Sequence, residues 1–137
     1  MKRYLADTNV LSELLKKRPH PSVQERLDAL PPSRLFASEI TRLELRFGTC
    51  LVPGGEGLWQ RIEDSILPRV SWVSFDEASS LATAELLARL RQAGTPIGPW
   101  DTCLAGTALA HKLTFSTRNA SHFRRVPGLR VENWFTD

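Results

Sequence analysis

Residues 3–15 read Arg3-Tyr4-Leu5-Ala6-Asp7-Thr8-Asn9-Val10-Leu11-Ser12-Glu13-Leu14-Leu15. The first four read as a short buried strand, Asp7-Thr8-Asn9 punctuates, and Val10 to Leu15 runs on as a helix. A strand that passes directly into a helix opens an α/β fold. The carboxylate at the junction matters because ligands of open α/β sheets bind beyond the carboxyl ends of the strands. Asp7 has a second reading, as the N-cap of the helix that follows.

The rest of the chain repeats the pattern. A helix of about 22–30 is closed by Pro31-Pro32, and Leu35-Phe36-Ala37 is a second strand. Ser38 caps a third helix, which ends at Pro53-Gly54-Gly55-Glu56-Gly57. A helix over about 58–67 and a strand over 70–75 follow. Asp76 then caps a long helix reaching about Gln92, with Ser79 three residues on to receive the cap. Residues 94–99 form a loop, a helix spans about 100–112, and strands are expected at 113–116 and 130–132. Short strands alternating with helices indicate a parallel sheet covered on both faces. We expect a single domain over residues 1–137, an α/β three-layer sandwich with a short-stranded, mainly parallel central sheet.

Composition narrows the class. With 42% apolar and 24% charged residues among 137, the chain is ordinary for a globular protein with one core. No secretory leader precedes Asp7, and no apolar run approaches the roughly 18 residues of a membrane helix, so a cytoplasmic protein without a membrane partner is expected. Cys50 and Cys103 form no CxxC and read as two buried, reduced thiols. The net charge is +3, and Arg outnumbers Lys fourteen to four. Arg presents a planar fork that suits phosphate oxygens, so this balance permits a nucleic-acid partner.

Two further acids stand where acids are costly. Ile40, Glu44, Phe47 and Leu51 share one helix face, so Glu44 interrupts an apolar stripe that should face the core. A buried carboxylate needs a partner or a metal, and Arg42 and Arg46 lie on other faces. Asp101 begins a helix and shares a face with Leu104, Ala105 and Ala108. The helix dipole offers it a purely structural reason to be there. Three acids at separate element ends can converge beyond one sheet edge. Held close, they repel unless a cation intervenes. Hard oxygen ligands without Cys or His spacing favour Mg²⁺ or Mn²⁺.

Four stretches then resemble the motifs of PIN-domain ribonucleases, in order and with matching spacing. They are Leu5 to Ser12, Ser38 to Gly48, Thr95 to Gly106, and Ser116 to Phe123; the ending Arg125 to Trp134 is also similar. Within that family the chain looks closest to the VapC-type toxins. The resemblance implies a Mg²⁺-dependent endoribonuclease, with Mn²⁺ an alternative, in which Asp7, Glu44 and Asp101 are the catalytic, metal-binding acids. Asn9, Thr117 and Asn119 would support them. His122 stands where the family commonly carries a fourth acid, leaving one metal or two open. It reads as a substitute ligand, a phosphate contact, or a surface residue beside a buried Phe123. Arg118, Arg124 and Arg125 follow the last motif and would hold the RNA backbone, as would Lys16-Lys17-Arg18. Expected partners are an RNA substrate, a small antitoxin encoded nearby, and a second copy in a homodimer.

Rival readings lose on particular residues. A haloacid-dehalogenase-type phosphatase needs an acid two positions after Asp7, where Asn9 stands, and no acidic pair of a phospho-receiver is present. A P-loop fails because no Gly-Lys-Ser/Thr follows Pro53-Gly54-Gly55-Glu56-Gly57. A non-catalytic RNA- or partner-binding module on the same fold remains the alternative.

Overall fold

Tyr4, Leu5 and Ala6 form β1 and are all buried. In the computed structural model, which describes residues 1–136, this strand is the middle of a five-stranded sheet in the order β3-β2-β1-β4-β5. β2 is Leu35–Ser38, β3 Ser71–Val73, β4 Thr114–Ser116 and β5 Val131–Glu132. Every pairing is parallel, with Tyr4 opposite both Leu35 and Thr114. The expected α/β sandwich with a parallel sheet is therefore what the chain forms.

Alternation along β1 divides the core in two. Tyr4 and Ala6 pack with Val10, Leu11, Val23 and Leu27 on one face of the sheet. These come from α1 (Thr8–Ser12) and α2 (Pro21–Ala29). Leu5 and Phe115 pack on the other face with Leu86, Leu90, Leu104 and Phe123. Those belong to α5 (Glu77–Gln92), α6 (Pro99–His111) and α7 (Ala120–Phe123). Burying each such side chain contributes about 1.5–3 kcal/mol. Gly106 explains how closely α5 and α6 approach: a Cβ there would lie 2.1 Å from Thr83 Oγ1 and 2.9 Å from Thr83 Cα.

The helix after β2, α3 (Glu39–Cys50), begins at Ser38, whose hydroxyl accepts from the Ile40 N–H at 3.0 Å. Its buried residues are Thr41, Leu45 and Thr49. This corrects the expected core stripe: Ile40 packs against the core, but Phe47 and Leu51 are 61% and 68% exposed, with Leu43 beside them at 46%. A narrow Thr/Leu/Thr ridge lets neighbouring elements come close, and the bulkier apolar face is turned outward. The next helix, α4 (Gly55–Ser65), starts directly against that ridge, where a Cβ on Gly55 would lie 1.8 Å from the Thr49 carbonyl oxygen. Residues 55–57, expected in a turn, are thus the first turn of α4, and Gly54 caps it in the left-handed region at φ 74°. Two other expectations change. Helix α1 tightens into a 3₁₀ turn over Glu13–Leu15, and the thiols are free but not both buried, Cys50 being exposed and Cys103 half-buried. None of the described helices is long and apolar enough to cross a membrane.

Candidate active site at the sheet's switch point

The chain runs outward from β1 to β2 and β3, then returns to β4 on the opposite side of β1. Beyond the carboxyl ends of β1 and β4, successive connections diverge and leave a crevice, the usual ligand position in such sheets. Asp7 follows β1 and Thr117 follows β4. The Asp7 N–H donates to the Ser116 carbonyl at 2.8 Å, and the Thr117 hydroxyl donates to Asp7 Oδ2 at 2.8 Å.

Asp7 is only 6% exposed and does cap α1, since Oδ1 accepts from the Thr8 N–H at 2.7 Å. Asn9 Nδ2 donates to Oδ2 at 3.1 Å, and Asn9 Oδ1 accepts the Arg118 N–H at 3.2 Å. Asn9 therefore ties the loop after β1 to the loop after β4. The Asn119 N–H donates to Thr117 Oγ1 at 3.0 Å, so Asn119 supports the site through its backbone. Burial pushes the Asp7 carboxyl up to about 6. The hydrogen bonds from Thr117 and Thr8 oppose this, and the negative charges of Asp101 and Glu44 add to it.

Glu44 reaches the same edge from the second turn of α3. Thr8 Oγ1 donates to Glu44 Oε1 at 2.7 Å and lies 3.1 Å from Thr41 Oγ1. One threonine thus touches two acids, Asp7 through its backbone and Glu44 through its hydroxyl. Asp101 lies in the first turn of α6, half-buried, with its carboxyl raised by burial and held back by the adjacent His122. His122 Nε2 is 3.2 Å from Asp101 Oδ2.

The donor set suits a hard divalent cation. It consists of carboxylate oxygens, one of them buried within the field of two other acids, so a cation relieves both burial and repulsion. Among the described residues no three Asp, Glu, His or Cys side chains are already gathered into a closed metal cluster. Each acid is instead in contact with protein donors, Asp7 with Thr117, Glu44 with Thr8 and Asp101 with His122.

The PIN domain family matches residues 4–129. This chain belongs to that family. Within it, the chain is similar to proteins named VapC. It is 32% identical to the tRNA(fMet)-specific endonuclease VapC of Salmonella typhimurium, over 98% of this chain and 99% of that protein. It is 37% identical to the VapC ribonuclease Y4jK of Sinorhizobium fredii, over 93% and 94% of the two chains. A solved structure of DNA-bound VapBC from Salmonella typhimurium superimposes with a TM-score of 0.86 at 32% identity, covering 98% of this chain and 99% of that one.

Of the residues expected at the site, this PIN domain joins Asp7, Asn9, Thr117 and Asn119 in one hydrogen-bonded group and brings Glu44 to it through Thr8. Asp101 pairs with His122 instead. Arg118 is at the rim, its guanidinium stacked 4.7 Å from the Phe135 ring centroid. Arg124 and Arg125 are exposed beyond α7 and make no hydrogen bond to the three acids among the described residues. Lys16, Lys17 and Arg18 are exposed too, and Lys16 pairs with the buried Glu13 at 2.9 Å. Sequence reasoning missed Thr8 and the Ile97 carbonyl, which lies 3.2 Å from His122 Nε2. Thr8 carried a usable signal: a hydroxyl residue in the first turn after a strand-end acid, on a helix that must face whatever that acid binds.

Proposed function

We propose that this PIN domain is the toxin of a toxin–antitoxin pair and cuts RNA as a Mg²⁺-dependent endoribonuclease, with Mn²⁺ able to substitute. The observation that carries the reading is Asp7. It is a buried acid at the sheet's switch point, raised to about 6 and fastened to the neighbouring strand end by Thr117. The ribonuclease and endonuclease names of the VapC relatives support the reaction class.

In this reading Asp7, Glu44 and Asp101 hold the cation. When bound, it supplies an activated water for in-line attack on a backbone phosphate and offsets charge developing on the phosphoryl oxygens. Asn9 and Thr117 orient Asp7 by donating to Oδ2, and Thr8 orients Glu44 by donating to Oε1. Arg118, beside Thr117, takes an RNA phosphate at the rim, with Arg124, Arg125 and the Lys16–Arg18 cluster extending the basic track.

The partner is a small antitoxin, and self-association accompanies it. Support comes from the relative solved as a VapBC assembly and from the uncovered side chains of Leu43, Phe47 and Leu51 along α3, and of Leu81 and Leu87 on α5. Apolar ridges of this kind on a folded protein mark interaction surfaces.

The test is incubation of purified protein with total RNA in Mg²⁺, in Mn²⁺ and in EDTA, with the cleaved ends mapped. Cuts at discrete positions that vanish in EDTA are expected. RNA that is bound but left intact with both metals would instead mean a non-catalytic binding module on the same fold.

A further inference from the structure

His122 Nε2 lies 3.2 Å from Asp101 Oδ2 and 3.2 Å from the Ile97 carbonyl oxygen. Both neighbours are acceptors only, so this ring nitrogen carries the proton, hydrogen-bonded to the Ile97 carbonyl with Asp101 Oδ2 equally near. A protonated nitrogen has no lone pair for a metal, so in this arrangement Nε2 is a donor and not a ligand. The ring packs edge-on against Phe123, with centroids 5.3 Å apart at 85°. Phe123 is fully buried and Ala120 nearly so, which anchors α7 beneath the imidazole. Ile97 is 6% exposed and sits next to Gly98, whose φ of 94° sets the turn into α6.

The turn into α6, from Ile97 to Asp101, therefore meets α7 at one N–H. The consequence falls on Asp101. Its Oδ2 is engaged, while Oδ1 has no hydrogen-bond partner among the described residues. The other two acids are held by protein donors as well, Asp7 through both oxygens by Thr8, Thr117 and Asn9, and Glu44 through Oε1 by Thr8.

We propose that His122 is a positioning residue, whose Nε2–H fixes the Asp101 carboxylate against the Ile97 carbonyl and leaves Oδ1 for a divalent cation. The inference rests on the metal-site reading above. It assigns the imidazole to orienting a ligand, as partners behind metal ligands generally do.

Titration calorimetry with Mn²⁺ alone, without RNA, tests it on the wild type, Asp101→Asn, His122→Ala and His122→Gln. Loss of the donor in His122→Ala should weaken Mn²⁺ binding by about 10- to 100-fold. The amide N–H of His122→Gln should recover affinity to within roughly threefold of wild type, which a merely structural histidine has no reason to show. Pulsed electron paramagnetic resonance on the Mn²⁺-loaded wild type should show no directly coordinated imidazole nitrogen, a readout that needs no variant to fold. Wild-type affinity in His122→Ala, or a coordinated nitrogen, overturns the proposal. Wild-type affinity in Asp101→Asn overturns the metal-site reading instead, so the two failures are distinct.

Discussion

Asp7 and Asp76 perform the same local task. Each follows a strand and caps the next helix, Asp7 Oδ1 accepting from the Thr8 N–H at 2.7 Å and Asp76 Oδ1 from the Ser79 N–H at 2.8 Å. Their carboxyls nevertheless move in opposite directions. Asp76 is held below the usual range, first by the Ser79 backbone hydrogen bond. Asp7 is pushed up to about 6, first by burial and then, against its own hydrogen bonds, by two neighbouring acids. An N-cap satisfies a backbone donor wherever it occurs. What separates the two is position: Asp76 follows β3 at the sheet's edge, and Asp7 follows β1 at its centre. Capping by the Ser79 N–H, with His111 Nε2 3.1 Å from Oδ2, accounts for Asp76 but leaves the burial of charge on Asp7 unaccounted for, which supports the role proposed for Asp7.

The largest effect should come from removing each charge in turn. Asp7→Asn should lower the rate of Mg²⁺-dependent RNA cleavage by about a thousandfold or more, the scale of losing several kcal/mol of transition-state stabilisation. Asp76→Asn should leave it within about twofold, since surface changes away from such features stay within about 0.5 kcal/mol. Gel assays on one RNA at matched protein concentration measure both, and equal losses would erase the contrast.

A second effect follows from linkage in metal-free protein. The unfolded chain gives up the Asp7 proton near the ordinary 3.8, and the folded chain keeps it to about 6. Stability on this account falls as pH rises from about 4 to about 6 and stays low above that. The size is up to about 3 kcal/mol for a shift of roughly two units. Denaturant unfolding across this range in EDTA should show the fall in wild type and not in Asp7→Asn. A wild-type curve with no such fall would mean that Asp7 is charged at no cost.

A smaller change sharpens the assignment of causes. Thr117→Val removes the hydroxyl that donates to Asp7 Oδ2. Loss of a hydrogen bond to a charged group costs about 1.5–3 kcal/mol where the carboxylate is ionised, and less once it is protonated. The variant's pH-dependent fall should therefore continue above pH 6. Carbon-13 chemical shifts of the Asp7 carboxyl, followed through the titration, should place its midpoint above that of wild type; an unmoved midpoint would show that Thr117 is spatially close but energetically idle.

The site was legible to different depths. Asp7 is readable because it stands directly after the first strand, where a parallel sheet gathers such residues whatever the loops do, whereas Asn9 and Thr117 follow only from the resemblance to the PIN family. Asp101 was readable from its place in a helix's first turn. Glu44 was chosen for a reason the fold does not support, since α3 turns Leu43, Phe47 and Leu51 outward and buries Thr41, Leu45 and Thr49. Periodicity identifies an apolar face but cannot say whether the chain itself or another molecule covers it. Arg124 and Arg125 were grouped with Arg118 by proximity in sequence, yet only Arg118 leads directly from a residue that touches Asp7.

The alternation of short strands and helices, and with it a parallel sheet carrying acids at its carboxyl edge, was determined by the sequence alone, because strand period, caps and breakers are local physics. Tertiary structure alone decided which acid is buried, which donor holds each one, and that His122 faces Asp101 and Ile97. These depend on groups far apart in the chain. Thr117 lies 110 residues from the carboxylate it holds. Only packing determines how much water remains around a charge, and that remainder sets its pKa and its appetite for a cation.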